Sequence, residues 1–191
     1  MLYLASASPR RRELMAMLGL RFEICPVDLD ETMDPGKSPA SEVERVACRK
    51  ALAANVPDDA VVVAADTIVV CDEQILGKPR DLAHARQMLE LLSGRTHEVL
   101  TGLAVRRGEV LESHVERTLV HFRPIGPKEL EAYLAAGESL DKAGAYGIQG
   151  KASLFCTGIS GDYYNVMGLP LCALGELLGR FGVRVLEGGA S

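Results

Sequence analysis

The chain has 191 residues, of which 48% are hydrophobic and 25% are charged, and its formal net charge is -5 at pH 7. This length and hydrophobic content suffice for a substantial core, so the composition excludes a disordered chain. The acidic balance excludes the broad basic face of a protein that coats a nucleic-acid polymer, whereas a small anion needs only a local basic cluster.

The cysteines and the N-terminal residues indicate the cellular compartment of the protein. The five cysteines show neither a C-x-x-C pair nor a zinc-binding spacing, which favours reduced thiols in a reducing compartment. The chain begins with a short apolar run followed by three arginines, the reverse of the order in a secretory signal. No apolar stretch approaches the roughly 20 residues that a membrane span needs. We therefore expect a cytoplasmic protein that has no membrane association.

The first half of the chain alternates strand and helix patterns. Ser41 and Glu44 match a capping box, so we expect a helix from there to about Asn55. The other predicted elements are strands at 2–5, 22–27 and 61–70, a helix at 10–18 and an acidic loop at 28–39.

The second half predicts further helices and strands. Asp81 can cap a helix over 82–92, and Pro127 can open a helix over 128–136. The remaining predictions are antiparallel strands at 99–105 and 110–122, a Gly-rich loop at 142–150, strands near 153–157 and 163–167, and a last helix at 170–180. With no repeat and no linker, the pattern predicts one α/β domain over residues 1–191.

Three consecutive arginines, Arg10 to Arg12, fall in the first turn of the first predicted helix. Cations there oppose the helix dipole by about 0.3 to 1 kcal/mol each. An anionic ligand would reverse this effect, because the hydroxyls of Ser6 and Ser8, the helix amides and the guanidinium groups would together bind a phosphate. The alternative is that the arginines extend into water or pair with nearby acids.

Asp66 interrupts the apolar strand predicted at 61–70. A buried carboxylate costs several kcal/mol unless it is paired, hydrogen-bonded or bound to metal. Glu31 in the acidic loop could supply a second carboxylate to a divalent cation. The alternatives are that Asp66 accepts backbone hydrogen bonds at a strand end and that Glu31 lies in a solvated turn.

Two lysines could reach a phosphate. Lys50 lies on the apolar stripe of the second predicted helix, so its stem should pack on the core while its ammonium reaches the rim. Lys78 lies in a turn between Gly77 and Pro79 and could present its ammonium to a phosphate oxygen. Simple snorkelling of Lys50 and simple exposure of Lys78 are the alternatives.

Five segments, in order along nearly the whole chain, resemble the Maf family of nucleotide pyrophosphatases. They are A-S-A-S-P-R-R at 5–11, A-D-T-I-V at 65–69, G-K-P-R at 77–80, L-D-K-A-G-A-Y-G-I-Q-G at 140–150 and V-M-G-L-P-L at 166–171. The resemblance implies an elongated α/β fold with a bent mixed sheet flanked by helices, and two lobes with a central cleft, similar to the inosine-triphosphate pyrophosphatases. It also implies a homodimer.

The resemblance further implies hydrolysis between the α- and β-phosphates of a nucleoside triphosphate with a divalent cation, Mg or Mn. Asp66 would be the proton acceptor. The competing assignment makes Asp66 a metal ligand and leaves deprotonation of the water to Glu31 or to solvent. The family's phosphate and metal groups would fall on Ser8, Arg11, Glu31, Lys50 and Lys78.

Three further positions resemble the branch of the family that acts on the pyrimidine nucleotides dTTP and UTP, including modified pyrimidine nucleotides: Arg10, Thr67 and Gln149. The amide of Gln149 offers both a donor and an acceptor to a uracil or thymine edge. Because Maf proteins are also linked to inhibition of septum formation, the alternative function is a nucleotide-binding regulator of cell division without turnover.

Overall fold

The computed structural model describes residues 1–34 and 36–186. It has seven strands, β1 Leu2–Leu4, β2 Glu23–Ile24, β3 Val61–Cys71, β4 Gln74–Leu76, β5 Thr96–Arg107, β6 Val110–Phe122 and β7 Cys156–Ser160. Its helices are α1 Pro9–Met17, α2 Pro39–Ala53, α3 Leu82–Leu92, α4 Pro127–Ala135, α5 Tyr163–Met167 and α6 Leu171–Arg180, with short 3-10 turns at Ala143–Ala145 and Lys151–Leu154. The predicted α/β class is thereby confirmed.

The described strands form one mixed sheet in the order β2-β1-β3-β5-β6-β7, and β4 pairs with β3. Strand β1 is parallel to both β2 and β3, with Leu2 opposite Val61 and Leu4 opposite Val63. By contrast, β3 and β4 are antiparallel, as are β6 and β7. All residues of β3 except Thr67 and Val70 are buried, which explains why its sequence is a nearly continuous apolar run.

The chain groups into two compact units, and the division falls inside β3, β5 and β6. Unit 1 comprises Met1–Asp66, Thr101–Glu116 and the described chain from Gly168 onward. Its core contains a cluster of small side chains from α2, β3, β5 and the residues that directly follow β1 and α2, namely Ala5, Ala47, Ala51, Ala54, Val62, Ala64 and Ala104. Small side chains permit α2 to lie close to the strands.

Unit 2 comprises Thr67–Leu100 and Arg117–Met167, and its core is aromatic. His97, Phe122 and Tyr146 meet edge to face, with ring centroids 4.8 to 5.3 Å apart. His97 Nε2 and the Tyr146 hydroxyl share a buried hydrogen bond of 2.8 Å. Burial lowers the pKa of His97 to about 4, with a smaller contribution from His121, so this imidazole is neutral at pH 7.

Three local predictions were wrong. The strand predicted near 153–157 is instead the 3-10 turn Lys151–Leu154, followed by β7, which begins only at Cys156. The cap of α2 is Ser38, whose hydroxyl accepts a hydrogen bond from the amide of Ser41, rather than Ser41 itself. Residues 163–167 form helix α5 instead of a strand, and the Asp162 carboxylate accepts a hydrogen bond of 2.7 Å from the amide of Tyr164 at its start. A five-residue segment that is mostly apolar does not distinguish a strand from a buried helix, and the acceptor at its start favours the helix.

Among the described residues, no helix has the length and apolarity needed to cross a membrane.

Candidate active site

The start of α1 combines a serine cap with arginines. Ser8 is the N-cap, and its hydroxyl accepts a hydrogen bond of 3.4 Å from the amide of Arg11. Pro9 occupies the first turn and no acidic residue lies there, so Arg10 and Arg11 stand at the positive end of the helix dipole. This arrangement agrees with the prediction that three arginines begin the first helix.

Arg11 is held by unit 1 rather than extended into water. Its Nε donates to the carbonyl oxygen of Gly168 at 2.8 Å, and its side chain also reaches the Ser6 hydroxyl at 3.5 Å. Burial lowers the pKa of Arg11, while the carboxylates of Asp66 and Glu31 act in the opposite direction. Arg11 therefore lies within the electrostatic influence of both predicted carboxylates.

Lys50 brings those two carboxylates together. Its Nζ lies 2.8 Å from Oδ1 of Asp66 and 2.6 Å from Oε1 of Glu31. Lys50 and Asp66 are only 6% and 7% exposed, whereas the side chain of Glu31 is about half exposed. The stem of Lys50 packs on the core as predicted, but its ammonium is buried between carboxylates instead of reaching the rim. This pairing is what compensates the charge of Asp66 within the apolar strand.

The remaining predicted site residues lie in unit 2. Thr67 follows Asp66 directly in β3 and is half-buried. Lys78 and Gln149 are both exposed. Their segments adjoin, because the amide of Gly144 donates to the carbonyl oxygen of Gly77 at 3.1 Å.

Gly144 is required for this contact between the two segments. It has φ of 67°, a conformation that favours glycine. A Cβ atom there would lie 3.0 Å from a methyl carbon of Val69. The Gly-rich loop can therefore lie close to β3 because residue 144 has no side chain.

Residues of α2 that the sequence reasoning missed also contact this site. Arg45 and Arg49 bind backbone carbonyls of the acidic loop, and Glu42 accepts hydrogen bonds from Arg45. Glu42, Arg45 and Arg49 are spaced three and four residues apart, and this spacing indicates that they share one face of the helix. The sequence does not reveal that this face meets the loop.

The donor set at Lys50 fits a hard divalent cation. Glu31 and Asp66 supply carboxylate oxygens, the ligand type that Mg²⁺ and Mn²⁺ prefer. Within the described part of the chain, no group of three or more His, Cys, Asp or Glu side chains is arranged to hold a metal. Two carboxylates are nevertheless what Mg²⁺ commonly takes from a protein when substrate phosphates and water complete its coordination.

Comparison with known proteins gives one family. The family model described as Maf-like protein matches residues 1–181. The dTTP/UTP pyrophosphatase of Moorella thermoacetica is 54% identical over 188 residues, covering 96% of each chain. Proteins of the same name from Symbiobacterium thermophilum and Yersinia pestis are each 50% identical, covering 99% and 94% of this chain and 98% and 92% of their own.

A solved structure supports the fold. A HAM1 protein from Coxiella burnetii superposes with a TM-score of 0.50 at 16% identity, over 94% of this chain and 98% of that chain. At this identity the likeness concerns the fold alone.

Proposed function

This chain belongs to the Maf family, and from that membership we propose that it is a nucleoside triphosphate pyrophosphatase that hydrolyses dTTP and UTP to the monophosphate and pyrophosphate. The observation that carries the proposal is the Lys50 ammonium held between Asp66 and Glu31, with Arg11 under the influence of both carboxylates. Two carboxylates beside a cationic helix start are suited to bind a cation and a polyphosphate together.

The start of α1 and two basic side chains bind the phosphates. The Ser8 hydroxyl accepts from the amide of Arg11 and can still donate its own hydrogen to a phosphate oxygen, and the Arg11 guanidinium adds its charge at the positive end of the helix. Lys50 has three N–H donors, so it can hold two carboxylates and still serve a phosphate oxygen. These groups stabilise the negative charge that accumulates on the departing pyrophosphate.

Hydrolysis needs a proton acceptor for the water that attacks the α-phosphorus. A bound divalent cation would acidify a coordinated water and neutralise phosphate charge. Asp66 accepts the proton, and its fixed position against Lys50 keeps its carboxylate from rotating away from the attacking water. Glu31, whose Oε1 lies 2.6 Å from the same ammonium, would be a ligand of the cation.

We assign base recognition to Gln149, Arg10 and Thr67. Gln149 is exposed, and its amide can donate to a ring carbonyl and accept from the ring N–H of uracil or thymine. Arg10 and Thr67 adjoin the phosphate-binding Arg11 and the catalytic Asp66 in the sequence, and they complete the proposed specificity set. We propose further that the enzyme works as a homodimer in the cytoplasm.

The alternative, a regulator of cell division that binds nucleotides without turnover, has no support among the relatives described above, which are all named as enzymes. A panel of nucleoside triphosphates with Mg²⁺ or Mn²⁺, scored for pyrophosphate release, decides between the two. Release from dTTP and UTP in excess of release from GTP and ATP supports the pyrophosphatase. Binding of nucleotides with no release from any of them supports the regulator.

A further inference from the structure

Two arginines of α2 hold the backbone on either side of Glu31. Nη1 of Arg49 donates to the carbonyl oxygen of Asp30, and Nη2 of Arg45 donates to the carbonyl oxygen of Thr32, both at 3.0 Å. Residues 28–34 contain no helix or strand. The helix therefore fixes the peptide groups next to Glu31 in a segment that has no regular structure of its own.

Arg45 is itself fixed by a buried partner. The two carboxylate oxygens of Glu42 accept from Nε and Nη2 of Arg45 at 3.0 and 2.6 Å, and Glu42 is fully buried. Oε2 of Glu42 also accepts from the amide of Asp34 at 2.8 Å. The hydrogen bonds from Arg45, followed by that from Asp34, lower the pKa of Glu42 to about 2, so the pair is ionised at neutral pH.

We name Glu42, Arg45 and Arg49 the α2 clamp. Lys50, whose ammonium forms a salt bridge with the Glu31 carboxylate, follows Arg49 directly on the same helix. The clamp and the ammonium thus reach the loop from one rigid element. A carboxylate on an unclamped loop would have to be ordered when a cation binds, and that ordering would weaken the binding.

From this geometry we infer that Glu42, Arg45 and Arg49 are positioning residues that set the carboxylate of Glu31 for a divalent cation. The inference rests on the proposed pyrophosphatase function, in which Glu31 is a metal ligand. The clamp itself has no contact with the cation in this account. Outer residues that orient a metal ligand commonly change metal affinity by about 10- to 100-fold when they are replaced.

The first test measures the affinity for Mn²⁺ by electron paramagnetic resonance. The titration is done in the presence of a UTP analogue that has a methylene group between the α- and β-phosphorus and cannot be hydrolysed there. Arg49→Met removes one exposed donor and should weaken Mn²⁺ binding about tenfold. Glu42→Met/Arg45→Met removes both partners of this half-buried pair together, so that the buried Glu42 and its arginine are not left without each other, and should have a similar effect. Arg180→Met, which removes an arginine that pairs with Glu112, is the matched control and should bind Mn²⁺ as the wild type does.

The second test combines the variants with Glu31→Gln. If the clamp acts through Glu31, Arg49→Met should weaken Mn²⁺ binding no further once Glu31 has been replaced. An equal additional loss in the Glu31→Gln background would overturn the inference, and so would wild-type Mn²⁺ affinity in Arg49→Met. Because this readout needs no turnover, a wild-type protein that releases no pyrophosphate would contradict the proposed function without deciding the role of the clamp.

Hydrogen exchange supplies a direct check of position. The amide of Asp34 donates to Glu42, so it should exchange slowly in the wild type and in Arg180→Met but rapidly in Glu42→Met/Arg45→Met. Unchanged protection of Asp34 in the double variant would show that the loop is held by other contacts and would overturn the inference.

Discussion

The ammonium of Lys50 lies 2.8 Å from Oδ1 of Asp66, and both side chains are almost completely buried. A strand with buried residues on both sides has no use for a carboxylate in its packing, and α2 has no use for an ammonium on its core face. Each charge is retained only because the other is present, with Glu31 as the second acceptor. The proposed chemistry depends on this arrangement.

Replacing Asp66 by Asn distinguishes the two roles considered for it. If Asp66 is the proton acceptor, kcat for dTTP should fall by about 10²- to 10⁴-fold while the affinity for Mn²⁺ and nucleotide is kept. If Asp66 is a metal ligand, Mn²⁺ affinity should fall first, and added metal should restore part of the rate. Steady-state kinetics over a range of Mn²⁺ concentrations, together with Mn²⁺ titration, separate these results.

Gln149→Glu tests base recognition. The substitution keeps the size of the side chain but removes its N–H donors and adds a negative charge, so it should lower kcat/KM for UTP more than for GTP. The ratio of the two kcat/KM values is the measurement, and Gln74→Glu, another exposed glutamine, is the control. An unchanged UTP to GTP ratio would remove Gln149 from the specificity set.

His97 predicts an acid-sensitive core in unit 2. Burial holds the pKa of His97 at about 4 in the folded protein, below the ordinary value of 6.5, so as the pH falls the unfolded chain is protonated at His97 at a higher pH than the folded protein. The stability that the neutral His97 contributes is complete above pH 6.5 and should be lost progressively as the pH falls from 6.5 to 4. Urea unfolding of the wild type and of His97→Gln across that range should show a smaller loss in the variant, and NMR should show that His97 does not titrate between pH 8 and 5.

Gly102 and Gly175 predict opposite effects of the same substitution. A Cβ atom on Gly102 would lie 2.6 Å from the carbonyl carbon of Val43 in α2, so Gly102→Ala should force the helix away from β5 and strongly reduce the free energy of unfolding. A Cβ atom on Gly175, inside α6, meets nothing within 4 Å. Gly175→Ala should therefore stabilise the protein by about 0.5 to 1 kcal/mol. Chemical denaturation of both variants is the measurement, and equal effects would contradict the close approach of α2 to β5.

Local signals predicted much of the fold. Helix α3 begins and ends where its Asp81 cap and apolar stripe indicate, and β6 spans the residues predicted for it. The cap of α2 was misplaced because Ser38 and Ser41 both have the chemistry of an N-cap, and only Pro39 at the first helical position favours Ser38. The two-residue strand β2 is shorter than predicted, because strand ends depend on the pairing partner rather than on the residues alone.

The site was predicted by residue type but not by arrangement. An apolar strand interrupted by Asp66 and a helix stripe interrupted by Lys50 each signal a buried charge, yet neither pattern names its partner 16 positions away. The contacts between α2 and the acidic loop are likewise tertiary. The residues of α2 follow the helical period, but the acidic loop has no periodic pattern. Sequence periodicity therefore cannot predict which loop residues α2 contacts.

The most direct test of the account is hydrolysis of dTTP by the wild-type protein with Mg²⁺ in ¹⁸O-labelled water, with both products analysed by mass spectrometry. Attack on the α-phosphorus predicts dTMP and pyrophosphate in equal amounts, with one ¹⁸O atom in dTMP and none in pyrophosphate. Release of inorganic phosphate with dTDP, or label in pyrophosphate, would contradict the account.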